Sequence, residues 1–123
     1  METTIAAEIQ SHAVLDSAVR KANEVLLGAI GRAKHPPRAV WRAVDRQGQS
    51  PVIELEMIDE LDSVTRRFLP EELLDRFELH FKLTELWGDL IQVAFQGSTS
   101  RMLIALRELR EEEESREVLL QEV

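Results

Sequence analysis

Residues 38–68 read RAVWRAVDRQGQSPVIELEMIDELDSVTRRF, and the choice between helix and hairpin here decides between an all-α chain and a mixed one. On the hairpin reading, residues 40–45 pair with residues 52–58, and Ile53-Glu54-Leu55-Glu56-Met57 alternates like a half-buried strand. On the helical reading, Val40, Trp41 and Val44 share one face of a short helix, and Gln47-Gly48-Gln49 is a loop. Ser50-Pro51 then opens a second helix, serine as cap and proline at the first helical position. Glu54 and Glu56 suit its positive end, while Met57, Ile58, Leu61, Val64 and Phe68 form a buried stripe and Arg66-Arg67 meet its negative end. The Ser-Pro start and the stripe that continues to Phe68 favour helix. Both segments are expected to be helical.

Residues 69–97, LPEELLDRFELHFKLTELWGDLIQVAFQG, follow this stretch and supply the central element. Glu71, Asp75, Glu78, Lys82, Glu85, Asp89, Gln92 and Gln96 recur at alternating steps of four and three, which is one narrow polar line along a helix. Nearly everything else is apolar, so most of the circumference is expected to be buried. A strand-like alternation at residues 77–83 fails at Leu86-Trp87 and Leu90-Ile91. Arg76, His80 and Thr84 stand opposite the polar line, close to Trp87. Buried there, they must find hydrogen-bond partners; alternatively that side is an interface, for which Trp and Arg are frequent anchors. Gly88 costs a helix about 1 kcal/mol relative to alanine, and close approach of another helix would account for it. Arg76, His80, Thr84, Trp87 and Gly88 are therefore candidate core or dimer-interface positions.

Towards the N-terminus, Thr3 or Thr4 can cap a first helix. Leu15, Ala18, Val19, Ala22, Val25, Leu26, Ala29 and Ile30 give it an apolar face, and Gly31 with His35-Pro36-Pro37 ends it. Towards the C-terminus, Gly97 is placed to stop the central helix and Ser98, Thr99 or Ser100 to cap the next. Met102, Leu106, Leu109, Leu120 and Val123 lie on one seam, interrupted by Glu113 and Arg116, which reads as an emerging coiled-coil-like linker. The expected fold is an all-α bundle of four to five helices at about 3–33, 38–46, 51–68, 70–96 and 99–122, dimeric. Residues 1–98 would form a partner-binding domain and residues 99–123 a helical linker.

With 123 residues this is one domain, able to bury a core but short enough to rely on a partner chain for part of its burial. It has no cysteine, which removes disulfides and thiol chemistry. Net charge is −8, and the acid excess lies after residue 50, which argues against a phosphate-backbone binder. No apolar run is long enough to span a bilayer and the first residues lack a signal-peptide pattern, so a cytoplasmic protein is expected. His12, His35 and His80 are far apart in sequence, with no metal-ligand or di-iron spacing, and no nucleophile accompanies the acidic cluster around Glu54. No metal, no cofactor and no catalytic residue are expected.

Several of these segments resemble one family. Ser50-Pro51, then Leu69-Pro70-Glu71-Glu72 and a long apolar helix containing Trp87-Gly88, is similar to the N-terminal domain of RsbU-type phosphatases. Residues 56–61, EMIDEL, resemble the related C-terminal helical bundle of the clock protein KaiA. The resemblance covers about residues 38–110. It implies a dimeric helical bundle that docks a small switch kinase of the GHKL class and passes the signal through a helix to a phosphatase beyond Val123, in a partner-switching stress response. By position, docking would involve Phe81 and Glu85 with the region of His35. A second reading from another class is a small acidic chaperone or assembly factor that shields an apolar client segment.

Overall fold

A computed structural model describes the backbone of residues 1–121 and the side chains of residues 1–115. The chain is not a helical bundle. Strand β1 (Thr3–Ile5), helix α1 (Ala7–Gln10) and helix α2 (Ala13–Ile30) come first. Strands β2 (Arg38–Arg46), β3 (Gln49–Asp59) and β4 (Asp62–Phe68) follow, then a 3₁₀ turn at Pro70–Leu74 and helix α3 (Arg76–Gln121). The sheet order is β1-β2-β3-β4, with β1 parallel to β2 and the other pairs antiparallel.

The helices expected at 38–46 and 51–68 are therefore three strands of a meander. Period two wins over period 3.6 because it separates the side chains cleanly onto two faces. Ala39, Trp41, Ile53, Leu55, Met57 and Phe68 are buried beneath the helices. Between them, Arg42 and Glu54 face each other across β2 and β3, and Glu54 meets Arg67 across β3 and β4. These pairs are made: Arg42 donates to Glu54 at 2.8 Å and to Glu56 at 3.3 Å, and Arg67 to Glu54 at 3.3 Å. Cross-strand pairs of this kind pin the register. Leu61, assigned above to a buried helical stripe, is instead 75% exposed in the β3–β4 turn.

Ser50-Pro51 caps no helix. The β2–β3 register shifts between Val44 and Arg46, so Ser50 and Pro51 together oppose Asp45 in a bulge. A bulge is where a strand tolerates the missing proline N–H. Gly48 takes φ +70° in the tight turn just before it, a conformation that suits glycine.

Hydrogen bonding at Glu54 gives the sheet a pH dependence. The bond from Arg42 holds the Glu54 carboxyl below the ordinary glutamate value; partial burial opposes this, and Arg67 adds to it. A lowered folded pKa means stability present above about pH 4.3, the unfolded value, and lost as pH falls through the folded one. Glu54→Gln should therefore lose less of its urea midpoint than the wild type between pH 6 and pH 3. Parallel losses in the two proteins would remove Glu54 from the account.

The N-terminal expectations change as well. The helix expected at 3–33 is broken into β1, α1 and α2. Thr3 and Thr4 cap nothing, because they pair with Ala39 and Val40 along β2. The ring of His12 caps α2, its Nδ1 accepting from the backbone N–H of Leu15 at 3.3 Å. The helix expected at 70–96 begins later, at Arg76, with the Asp75 carboxylate accepting from Phe77 N–H at 3.1 Å and Glu78 N–H at 3.2 Å. It also ends later. Gly97 does not stop it, and no second helix starts at residue 99: α3 runs unbroken for 46 residues, about 69 Å at helical rise. A Cβ at Gly97 would meet the flexible end of the Arg101 side chain at 3.3 Å and the Asp62 carboxylate at 3.5 Å, so space alone does not demand glycine there.

Helices α2 and the first part of α3 cover one face of the sheet. Leu15, Val19, Ala22, Leu26 and Ile30 face Leu79, Leu83, Leu86 and Leu90 over the strands. Trp41 lies at the centre with no exposed surface, its ring 6.3 Å from that of Phe68. Its indole N–H donates to Asn23 Oδ1 at 3.1 Å, which satisfies the one polar atom it buries.

Candidate interaction surface

Helix α3 is used on one side only. The buried leucines at 79, 83, 86 and 90 occupy one face, and two residues along a helix is about 200° of rotation. Phe77, Phe81, Thr84 and Gly88 therefore face away from the core, and Ile91, one residue past Leu90, lies on its flank. Phe77 is 90% exposed, Phe81 67% and Phe95 70%. The expectation that most of this helix's circumference is buried does not hold.

Four of the candidate positions, joined by Phe77, gather at one groove beside this outward face. Arg76, Phe77, His80, Phe81 and Thr84 line an open groove of about 740 Å³, with Val25 of α2 on its other wall. Arg76, His80 and Thr84 thus come together as the four-residue steps suggested, but on the surface and not in the core. Thr84 satisfies its hydroxyl locally, donating to the His80 carbonyl at 2.8 Å. Trp87 is half-buried against the edge of the core. Gly88 is exposed, and a Cβ added there would meet nothing within 4 Å. Nothing inside the protomer explains this helix-weakening glycine.

Glu85 and His35 behave differently. Glu85 accepts from Arg66 of β4 at 2.9 Å, an ion pair that ties α3 to the edge of the sheet. His35 is exposed in the segment between α2 and β2, and neither residue lines the groove. Lys82 is likewise engaged, with Glu72 of the 3₁₀ turn and with Glu78 at 3.2 Å. The ionic anchors of α3 thus involve its polar line, leaving the apolar line unpaired.

Comparison with known proteins found no matching family model, no matching curated protein and no matching solved structure. The site must be read from its own geometry. The bundle implied by the resemblance to RsbU-type phosphatases is absent: Ser50-Pro51 and most of residues 56–61 lie in β3 and its turn.

Two further apolar surfaces extend the picture. Val14, Ala18 and Lys21 of α2 and Pro70 and Leu74 of the 3₁₀ turn enclose an open groove of about 480 Å³. Beyond residue 97, Met102, Leu103, Ile104, Leu106 and Leu109 are all more than half exposed. Among the described residues no three His, Cys, Asp or Glu side chains converge as a metal-holding group, and no helix is long and apolar enough to cross a membrane.

Sequence reasoning missed Phe77, Ile91 and Phe95 as surface residues. A signal was present. Phe77, Phe81, Thr84, Gly88, Ile91 and Phe95 follow the same four-three rhythm as the leucines, so the helix carries two apolar lines where a surface helix needs one.

Proposed function

We propose that this chain is a non-catalytic, cytoplasmic protein-binding module that dimerises and engages a second protein through apolar surface on and beside α3. One observation carries the reading: an unpaired apolar line, opposite the buried face, on the element with the largest exposed surface. Contiguous exposed apolar surface of this extent on a small domain is characteristic of association sites.

A GHKL-class switch kinase as the second protein, with the signal passed along α3 to a phosphatase beyond Val123, is supported by the resemblance alone. A chaperone-like role has its own observation. The groove between α2 and the 3₁₀ turn is open, apolar and separate from the α3 line, as an extended apolar client would require.

Two titrations separate these readings, each read by fluorescence anisotropy against the full chain. One uses a purified GHKL switch-kinase domain encoded near this gene. The other uses a labelled, unfolded peptide with alternating apolar residues. Binding of the kinase that is lost in His35→Asp, an exposed position away from α3, supports the relay. Binding of the peptide that is lost in Val14→Asp supports the chaperone. No binding in either arm overturns the engagement of a second protein.

A further inference from the structure

The outward line of α3 does not stop at Phe95. Continuing in steps of three and four it takes in Ser98, Met102, Ala105 and Leu109, all exposed. A heptad rhythm sustained from Phe77 to Leu109 is the signature of a coiled-coil seam. We propose that α3 pairs with α3 of a second copy as an antiparallel two-helix coiled coil centred at the level of Val93. This rests on the reading above that the chain dimerises, and adds the face, the direction and the register.

Residue sizes select the direction. In the antiparallel register, Phe81 lies against the partner's Ala105 and Thr84 against the partner's Met102. Ile91 lies against the partner's Phe95, and Gly88 against the partner's Ser98. Large meets small at the layers of Phe81 and Thr84, and two small residues meet at Gly88 and the partner's Ser98, so Gly88 acquires the reason it lacks within the protomer. A parallel pairing sets each residue against itself, crowding Phe77 on Phe77, Phe81 on Phe81 and Phe95 on Phe95.

Charge selects the same direction. Among the described residues Arg76 and Arg101 form no ion pair within the protomer. The antiparallel register brings Glu108 of the second copy beside His80, and Arg101 beside the partner's Trp87, a favourable cation–aromatic pair. A parallel register sets Glu108 near the partner's Glu113, like charge on like. Area is sufficient as well. Phe77, Phe81, Ile91, Phe95, Met102 and Leu109 are each more than half exposed. Together they offer roughly 600 Å² per protomer before the polar flanks, close to the ~800 Å² per partner of a standard stable interface.

The chain has no cysteine, so single cysteines report cleanly. Gly88→Cys and Ser98→Cys are made separately in the full chain, checked for native circular dichroism, and oxidised mildly either alone or as a one-to-one mixture. The antiparallel seam predicts a disulfide-linked dimer in the mixture and none from either variant alone, because each cysteine is about 15 Å from its own copy. Sedimentation of Phe81→Asp should show self-association weakened at least tenfold. Cross-linking of either variant with itself overturns the antiparallel direction. No cross-link in the mixture, with a wild type that sediments as a dimer, overturns this seam while leaving dimerisation intact. A wild type that stays monomeric at all concentrations overturns both.

Discussion

Leu83→Asp should unfold the chain, whereas Phe81→Asp, two residues earlier on the same helix, should leave it folded. Leu83 has no exposed surface and packs in the core with Leu79 and Leu86. Removing a buried leucine costs about 2–5 kcal/mol, and a carboxylate in its place adds the cost of desolvating an unpaired charge. The sum is comparable with the whole stability of a domain of this size, about 5–15 kcal/mol. Phe81 is two-thirds exposed, so the same aspartate there meets solvent. Urea titration followed by circular dichroism at low protein concentration checks both. A folded Leu83→Asp, or an unfolded Phe81→Asp, would mean that the inner and outer faces of α3 have been assigned the wrong way round.

The second large effect is at Trp41. Trp41→Ala should lower unfolding free energy by about 3–5 kcal/mol, the usual cost of truncating a large buried aromatic. Its ring touches the core where β2, β4 and α2 meet, through Phe68 on one side and the Asn23 side chain on the other. Trp41→Phe should recover much of the packing yet leave Asn23 Oδ1 without its donor, so part of the loss, about 1 kcal/mol, should remain. The measurement is again the urea midpoint. Full recovery by phenylalanine would show that the indole hydrogen bond adds no net stability.

How far the fold could be read depended on which side chains carried a unique period. The α2 face and the polar line of α3 were legible because their four-three spacing holds over several helical turns. Residues 40–58 were not: β2 and β3 carry glutamates and arginines at alternate positions, and these satisfy a strand and the dipole of a helix equally well. The Ser-Pro pair tipped the reading towards helix, although its place in the chain is a bulge between strands. What resolves the ambiguity is a non-local fact, the pairing of Arg42 with Glu54 and of Glu54 with Arg67. At the candidate site, Arg76, His80 and Thr84 line one exposed groove of α3, whereas Trp87 is half-buried at the edge of the core. Whether that side looks inward or outward depends on the sheet beneath, which their own spacing does not encode. Gly97 misled because glycine is the usual helix terminator, yet α3 continues through it.

The unbroken passage of α3 through Gly97 has a thermodynamic corollary. Residues 98–115 carry no buried side chain, and a helical segment of that length is only marginally stable in water without packing. The ion pairs from Arg107 to Glu111 and from Arg110 to Glu114 contribute about 0.2–0.5 kcal/mol each, too little to hold it alone. With α3 paired as proposed, the helical content of residues 98–115 should rise with protein concentration and fall on dilution, a change circular dichroism would follow.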